Sequence, residues 1–70
     1  MKLRECIKLG IECGLNTMDE ALYNVELHAV QMRELSMVDH ELNELYHEIM
    51  DILGDKWADM TLTTAKKIIQ

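Results

Sequence analysis

The chain has no proline, no phenylalanine, three glycines, two cysteines and a single tryptophan in 70 residues. Without proline nothing forces a kink, and so few glycines leave few places to turn. Neither a linker nor a low-complexity tract nor an internal repeat is visible, so residues 1–70 read as a single domain. No apolar run approaches the roughly 20 residues that span a bilayer, so no membrane segment is expected. Lys8 and Glu12 interrupt the stretch where a signal-peptide core would lie. Cys6 and Cys13 are seven residues apart on one amphipathic stretch. On a helix that spacing is about 10 Å, too far for a disulfide. They read as reduced, partly buried thiols on the inner side of the first helix, which suits a cytoplasmic protein.

Cations are also scarce where acids are dense. The net charge is −6. Residues 1–15 carry Lys2, Arg4 and Lys8 against Glu5 and Glu12, a balance of +1. Residues 16–54 carry nine acids against Arg33 alone, a balance of −8, and residues 55–70 return to +1. Such a middle repels nucleic acid and anionic lipid, and neither is expected as a partner. The segment Ile7–Thr17 has the short glycine-bearing turn of a helix-turn-helix. The helix that follows, however, leads with Asp19 and Glu20 where a DNA reader needs Lys and Arg.

What is present is helical periodicity, and the chain reads as an all-α small helical bundle. Three main helices are expected at about 2–13, 17–33 and 37–53, with a short C-terminal helix at about 62–69. In the first, Leu3, Cys6, Ile7, Gly10 and Cys13 share a face, with Leu9 and Ile11 at its margins. Gly10 near the centre of that face costs about 1 kcal/mol of helix propensity, which close approach of another helix would offset. Gly14 is the stop signal. Thr17-Met-Asp-Glu20 is a capping box opening the second helix. Its main stripe is Met18, Ala21, Leu22, Val25, Ala29 and Met32.

That helix carries a second apolar stripe, Tyr23, Leu27 and Val30, pointing well away from the first. A helix apolar on two sides is expected to be covered on two sides, by another helix of the chain or by a second molecule. Ser36 is expected to cap the third helix, whose stripe is Val38, Leu42, Leu45, Ile49 and Ile52, ending at Gly54. The short connection makes helices two and three an antiparallel hairpin through which the bundle packs. Trp57 is expected to seal one end of the core. Thr61 or Thr63 caps the last helix, with Leu62, Ala65, Ile68 and Ile69 inward. Among six methionines, Met18 and Met32 read as core, while Met37, Met50 and Met60 flank the stripes.

Chemistry is thinly represented. Glu44-Leu-Tyr-His47 has the E-x-x-H spacing of carboxylate-bridged metal sites, and His40, Glu44, His47 and Asp51 lie on one face of the third helix. That face is opposite the apolar stripe, so it reads as a solvated face; His40, Glu44 and His47 are at most weak metal ligands, with His28 a further candidate near His40. No nucleophile–base arrangement or phosphate-binding loop occurs, and neither a cofactor nor catalysis is expected. The expectation is a non-enzymatic interaction module, a homodimer through Tyr23, Leu27 and Val30 with Tyr46 and Met50 beside them. The alternatives are a metal-binding helical protein, or an acidic regulator docking on a basic protein partner through Asp39, Glu41, Glu44, Glu48 and Asp51.

Overall fold

The computed structural model describes residues 1–33 and 37–70, the side chains of Met37 and Val38 excepted. Within these residues the helices are α1 (Leu3–Glu12), α2 (Met18–Gln31), α3 (Met37–Leu53) and α4 (Leu62–Ile69), with a 3₁₀ turn at Trp57–Asp59 before α4. The chain is an all-α bundle of three main helices and a short fourth. The expected cap at Ser36, the connection through Glu34 and Leu35, and the side chains of Met37 and Val38 lie outside the described residues.

The helix ends follow local chemistry. Gly14 takes φ +76°, the left-handed conformation that glycine adopts without strain. Around it Leu15 N donates to Gly10 O at 2.9 Å and Gly14 N to Ile11 O at 3.0 Å, the paired bonds that close a helix C-terminus. Thr17 opens α2, its hydroxyl accepting from Glu20 N at 3.2 Å. The Glu20 carboxylate reaches back to Asn16 N at 3.0 Å, one residue beyond the usual capping-box partner. Of the two candidate caps for α4, Thr61 serves, accepting from Thr64 N at 3.2 Å.

The two caps are tied to each other. Thr17 and Thr61 form an isolated antiparallel bridge, in which Met18 N donates to Met60 O at 2.8 Å and Leu62 N to Asn16 O at 2.9 Å. Two helix–loop–helix halves, α1–α2 and α3–α4, are thereby joined loop to loop. Gly10 sits at the closest approach: a β-carbon there would lie 2.8 Å from Ala21 Cβ and 2.8 Å from Leu62 Cδ1. The absent side chain lets α1 pack against α2 and α4 at once. As a result α2 packs more extensively on α1 and on the 3₁₀ turn than on α3. Among the described residues the α2–α3 pair is therefore not the main seam.

The core gathers Leu3, Cys6 and Ile7 from α1, Met18 through Ala29 on the inner face of α2, Leu45, Ile49 and Leu53 from α3, and Leu62 and Ala65 from α4. Trp57 and Met60 are half-buried against it. Four expected core positions are corrected. Met32 is exposed, because α2 ends at Gln31 and Met32 leaves helical geometry at φ −102°, ψ 18°. The second helix thus stops short of Arg33, which lies in a turn. Ile52 is exposed and Leu53 takes its place, since a straight helix drifts by about 20° per heptad from a 3.5-residue repeat. Ile68 is exposed at the rim of α4, with Ile69 half-buried instead. Cys13 is exposed, because it is the C-cap of α1, where the chain turns away.

Candidate functional site

The start of α1 has no side-chain cap of its own. Its orphan Leu3 N–H donates instead to Glu48 Oε2 of α3 at 2.6 Å, and Lys2 Nζ lies 3.6 Å from Glu48 Oε1. The Met1 amino group lies 3.6 Å from Glu41 Oε2. Two of the five carboxylates assigned to an acidic docking face are therefore turned to holding α1 on α3. Asp39, Glu44 and Asp51 remain exposed.

The E-x-x-H stripe stands in solvent. His40 Nε2 lies 3.1 Å from Glu44 Oε1 across one helical turn, and both side chains are more than half exposed. His47 is exposed as well, and His28 lines a cleft beside α1 with Leu9 and Leu27. Among the described residues no group of three or more His, Cys, Asp or Glu side chains is arranged to hold a metal ion. Cys6 is sealed in the core, and burial pushes its thiol up to about 11 from 9.0, so it stays protonated and unreactive near neutral pH.

The second stripe of α2 is the feature that folding leaves unused. Tyr23 is 64% exposed, Leu27 47% and Val30 55%, so no helix of the chain covers them. Tyr46 of α3 lines a cleft with Tyr23, and Met50, one turn further along α3, is exposed as well. The N-terminal half of the stripe opens into that cleft, of about 490 Å³, between α2, α3 and the 3₁₀ turn. Tyr23, Tyr46 and Trp57 line it, which are all the aromatic residues of the chain. Asp19, Glu20 and Glu26 stand around them, and the Tyr46 hydroxyl donates to Glu26 Oε1. The sequence set Tyr46 beside Tyr23 but gave no sign that Trp57 joins them, because that ring comes from a third element.

A second cleft, of about 660 Å³, lies between α1 and α4, with Ile7, Ile11 and Ile69 beneath Arg4, Lys8 and Lys66. It forms because the two basic ends of the chain pack side by side, a pairing that charge counted along the sequence does not show.

No known family, curated protein or solved structure matches the chain. No helix among the described residues is long and apolar enough to cross a membrane.

Proposed function

We propose that the chain is a non-enzymatic protein–protein interaction module that associates with a second copy of itself through the outward face of α2. The observation that supports this reading is the alignment of Tyr23, Leu27 and Val30 along one face, bare in the single chain. Scattered exposed hydrophobics need no explanation, whereas a contiguous apolar stripe marks a surface to be covered. Among the described residues no element is left to cover it. The chain exposes 4956 Å² in all. A standard interface takes about 800 Å² from each partner, roughly a sixth of that surface.

Docking on a basic partner through Asp39, Glu41, Glu44, Glu48 and Asp51 is the weaker reading, because Glu41 and Glu48 are engaged at the start of α1. The metal-binding reading has only the exposed His40–Glu44 contact in its favour.

Sedimentation across a concentration series tests the proposal. The expected result is a concentration-dependent dimer that persists at high salt, with Leu27→Glu folded but monomeric. Docking through carboxylates would instead weaken steeply with salt. A wild-type chain that stays monomeric at every concentration, with its stripe left in water, overturns the self-association reading. The acidic-docking reading then takes its place.

A further inference from the structure

The outward face of α2 is self-complementary in charge as well as in apolar surface. Asp19 and Glu26 stand seven residues apart on α2, so they follow one line beside the Tyr23–Leu27–Val30 stripe, and Arg33 lies in the turn just past the end of the helix. The N-terminal end of this line is acidic and opens on the aromatic cleft. Beyond its C-terminal end stands Arg33, exposed in the turn after Gln31 and the only Lys or Arg between residues 16 and 54. Two copies packed in parallel would set acid against acid. Packed antiparallel, they set acid against cation.

The register follows from the spacing. Tyr23 lies as far before the midpoint between Glu26 and Leu27 as Val30 lies after it. Glu20 and Arg33 straddle the same midpoint equally. A two-fold axis there places Tyr23 opposite Val30 and brings the turn carrying Arg33 level with Asp19 and Glu20 of the second copy. Such an axis runs the two helices in opposite directions, so the turn carrying Arg33 in one copy meets the acidic start of α2 in the other.

We propose that α2 pairs antiparallel with α2 of a second copy, and that the Arg33 guanidinium of each copy seats in the cleft formed by Tyr23, Tyr46, Trp57, Asp19 and Glu20 of the other. The proposal rests on the self-association reading and specifies its geometry. The cleft suits that group. A guanidinium is planar, stacks on aromatic faces and forks to carboxylates, and it is less strongly hydrated than an ammonium. Asp19, Glu20 and Glu26 have no ion pair among the described residues, although Glu20 accepts from Asn16 N and Glu26 from the Tyr46 hydroxyl. Tyr46 is oriented by its bond to Glu26, which fixes one wall of the cleft.

The test is a charge swap between chains, read by sedimentation and native mass spectrometry. Arg33→Glu alone and Asp19→Lys alone should each weaken self-association by roughly tenfold, because each contact occurs twice in a two-fold pair. An equimolar mixture of the two variants should form heterodimers near wild-type affinity, since both contacts in the mixed pair again join opposite charges. If Asp19→Lys melts early, Arg33→Glu alone carries the test. Should Arg33→Glu dimerise as tightly as wild type, or the mixture bind no better than either variant alone, the seating of Arg33 is wrong. Disruption by Leu27→Glu would in either case leave the α2 interface standing. A wild-type chain that does not associate at all removes the interface and the Arg33 contact together.

Discussion

Replacing Gly10 by alanine sets two effects of known size against each other. In an open helix interior the change gains about 1 kcal/mol of helix propensity. Here the added carbon would lie 2.8 Å from both Ala21 Cβ and Leu62 Cδ1, where carbon atoms prefer about 3.5–4.0 Å. The two neighbours differ in what they can yield. A Leu62 methyl can rotate, though only within a filled core, since Leu62 is buried. Ala21 Cβ is fixed to the α2 backbone and moves only if α2 moves. Overpacking of this kind costs about 1–3 kcal/mol, and two simultaneous contacts place it at the upper end. The expected net loss is about 1–2 kcal/mol, which lowers the Tm of a domain this size by roughly 5–15 °C. Thermal and urea melts followed by helical circular dichroism measure it. Ala21→Gly in the same chain should recover part of the loss, with a coupling above about 0.5 kcal/mol. A rise in Tm for Gly10→Ala would refute the reasoning, because it would mean that α1 and α2 do not meet at this residue.

Leu45→Ala should cost about 2–5 kcal/mol, comparable with the whole margin of a domain this small, whereas Ile52→Ala should stay within about 0.5 kcal/mol; equal effects would restore Ile52 to the core. Glu48→Gln should cost about 1 kcal/mol in urea melts and Glu48→Ala more, since Leu3 N then loses its charged acceptor; no change in either would mean that α1 needs no cap from α3. A thiol reagent should label exposed Cys13 quickly and buried Cys6 only on unfolding, and equal rates would contradict the packing. Because burial raises the Cys6 thiol from 9.0 to about 11, its contribution is whole below pH 9 and declines as pH rises from 9 towards 11, by about 1.4 kcal/mol per pH unit; a flat denaturation midpoint over that window would contradict it. If the chain self-associates, its Tm should climb by a few degrees per tenfold rise in concentration, and a constant Tm over a hundredfold range would argue for a monomer.

The parts of this fold legible in the sequence are those whose causes are local. The Thr17 hydroxyl and Gly14 mark helix ends because a cap and a left-handed turn each depend on a few neighbouring residues. The empty place at Gly10 is visible because glycine at the centre of an apolar face is unfavourable unless something approaches it. Errors begin where periodicity is carried past the helix that generates it, as at Met32 and Cys13, or held to 3.5 residues where the helix keeps 3.6, as at Ile52. The Thr17–Thr61 bridge leaves no trace in side chains, since only backbone groups bond. The contact from Glu48 to Leu3 spans 45 positions, and no short pattern encodes it. The bare stripe on α2 was readable as surplus apolar surface with Tyr46 beside it; the cleft was not, because Trp57 arrives from the 3₁₀ turn.

The acids of α3 and those of α2 have different work to do. Glu48 closes the open end of α1, so part of the negative charge of α3 is spent inside the molecule, at the positive end of a helix dipole where it stabilises the fold. Asp19 and Glu20 also meet a helix start, their own, and that accounts for their position in the first turn of α2. Glu26, in mid-helix, accepts from the Tyr46 hydroxyl of α3, and Trp57 packs against the core, so folding accounts for both. Helix stability would be served as well by any polar residue at positions 23, 27 and 30. An apolar stripe with acid at one end and a lone arginine at the other is a pattern that folding of one chain does not require. Its complement is the same pattern reversed, and the simplest source of that complement is a second copy of the chain.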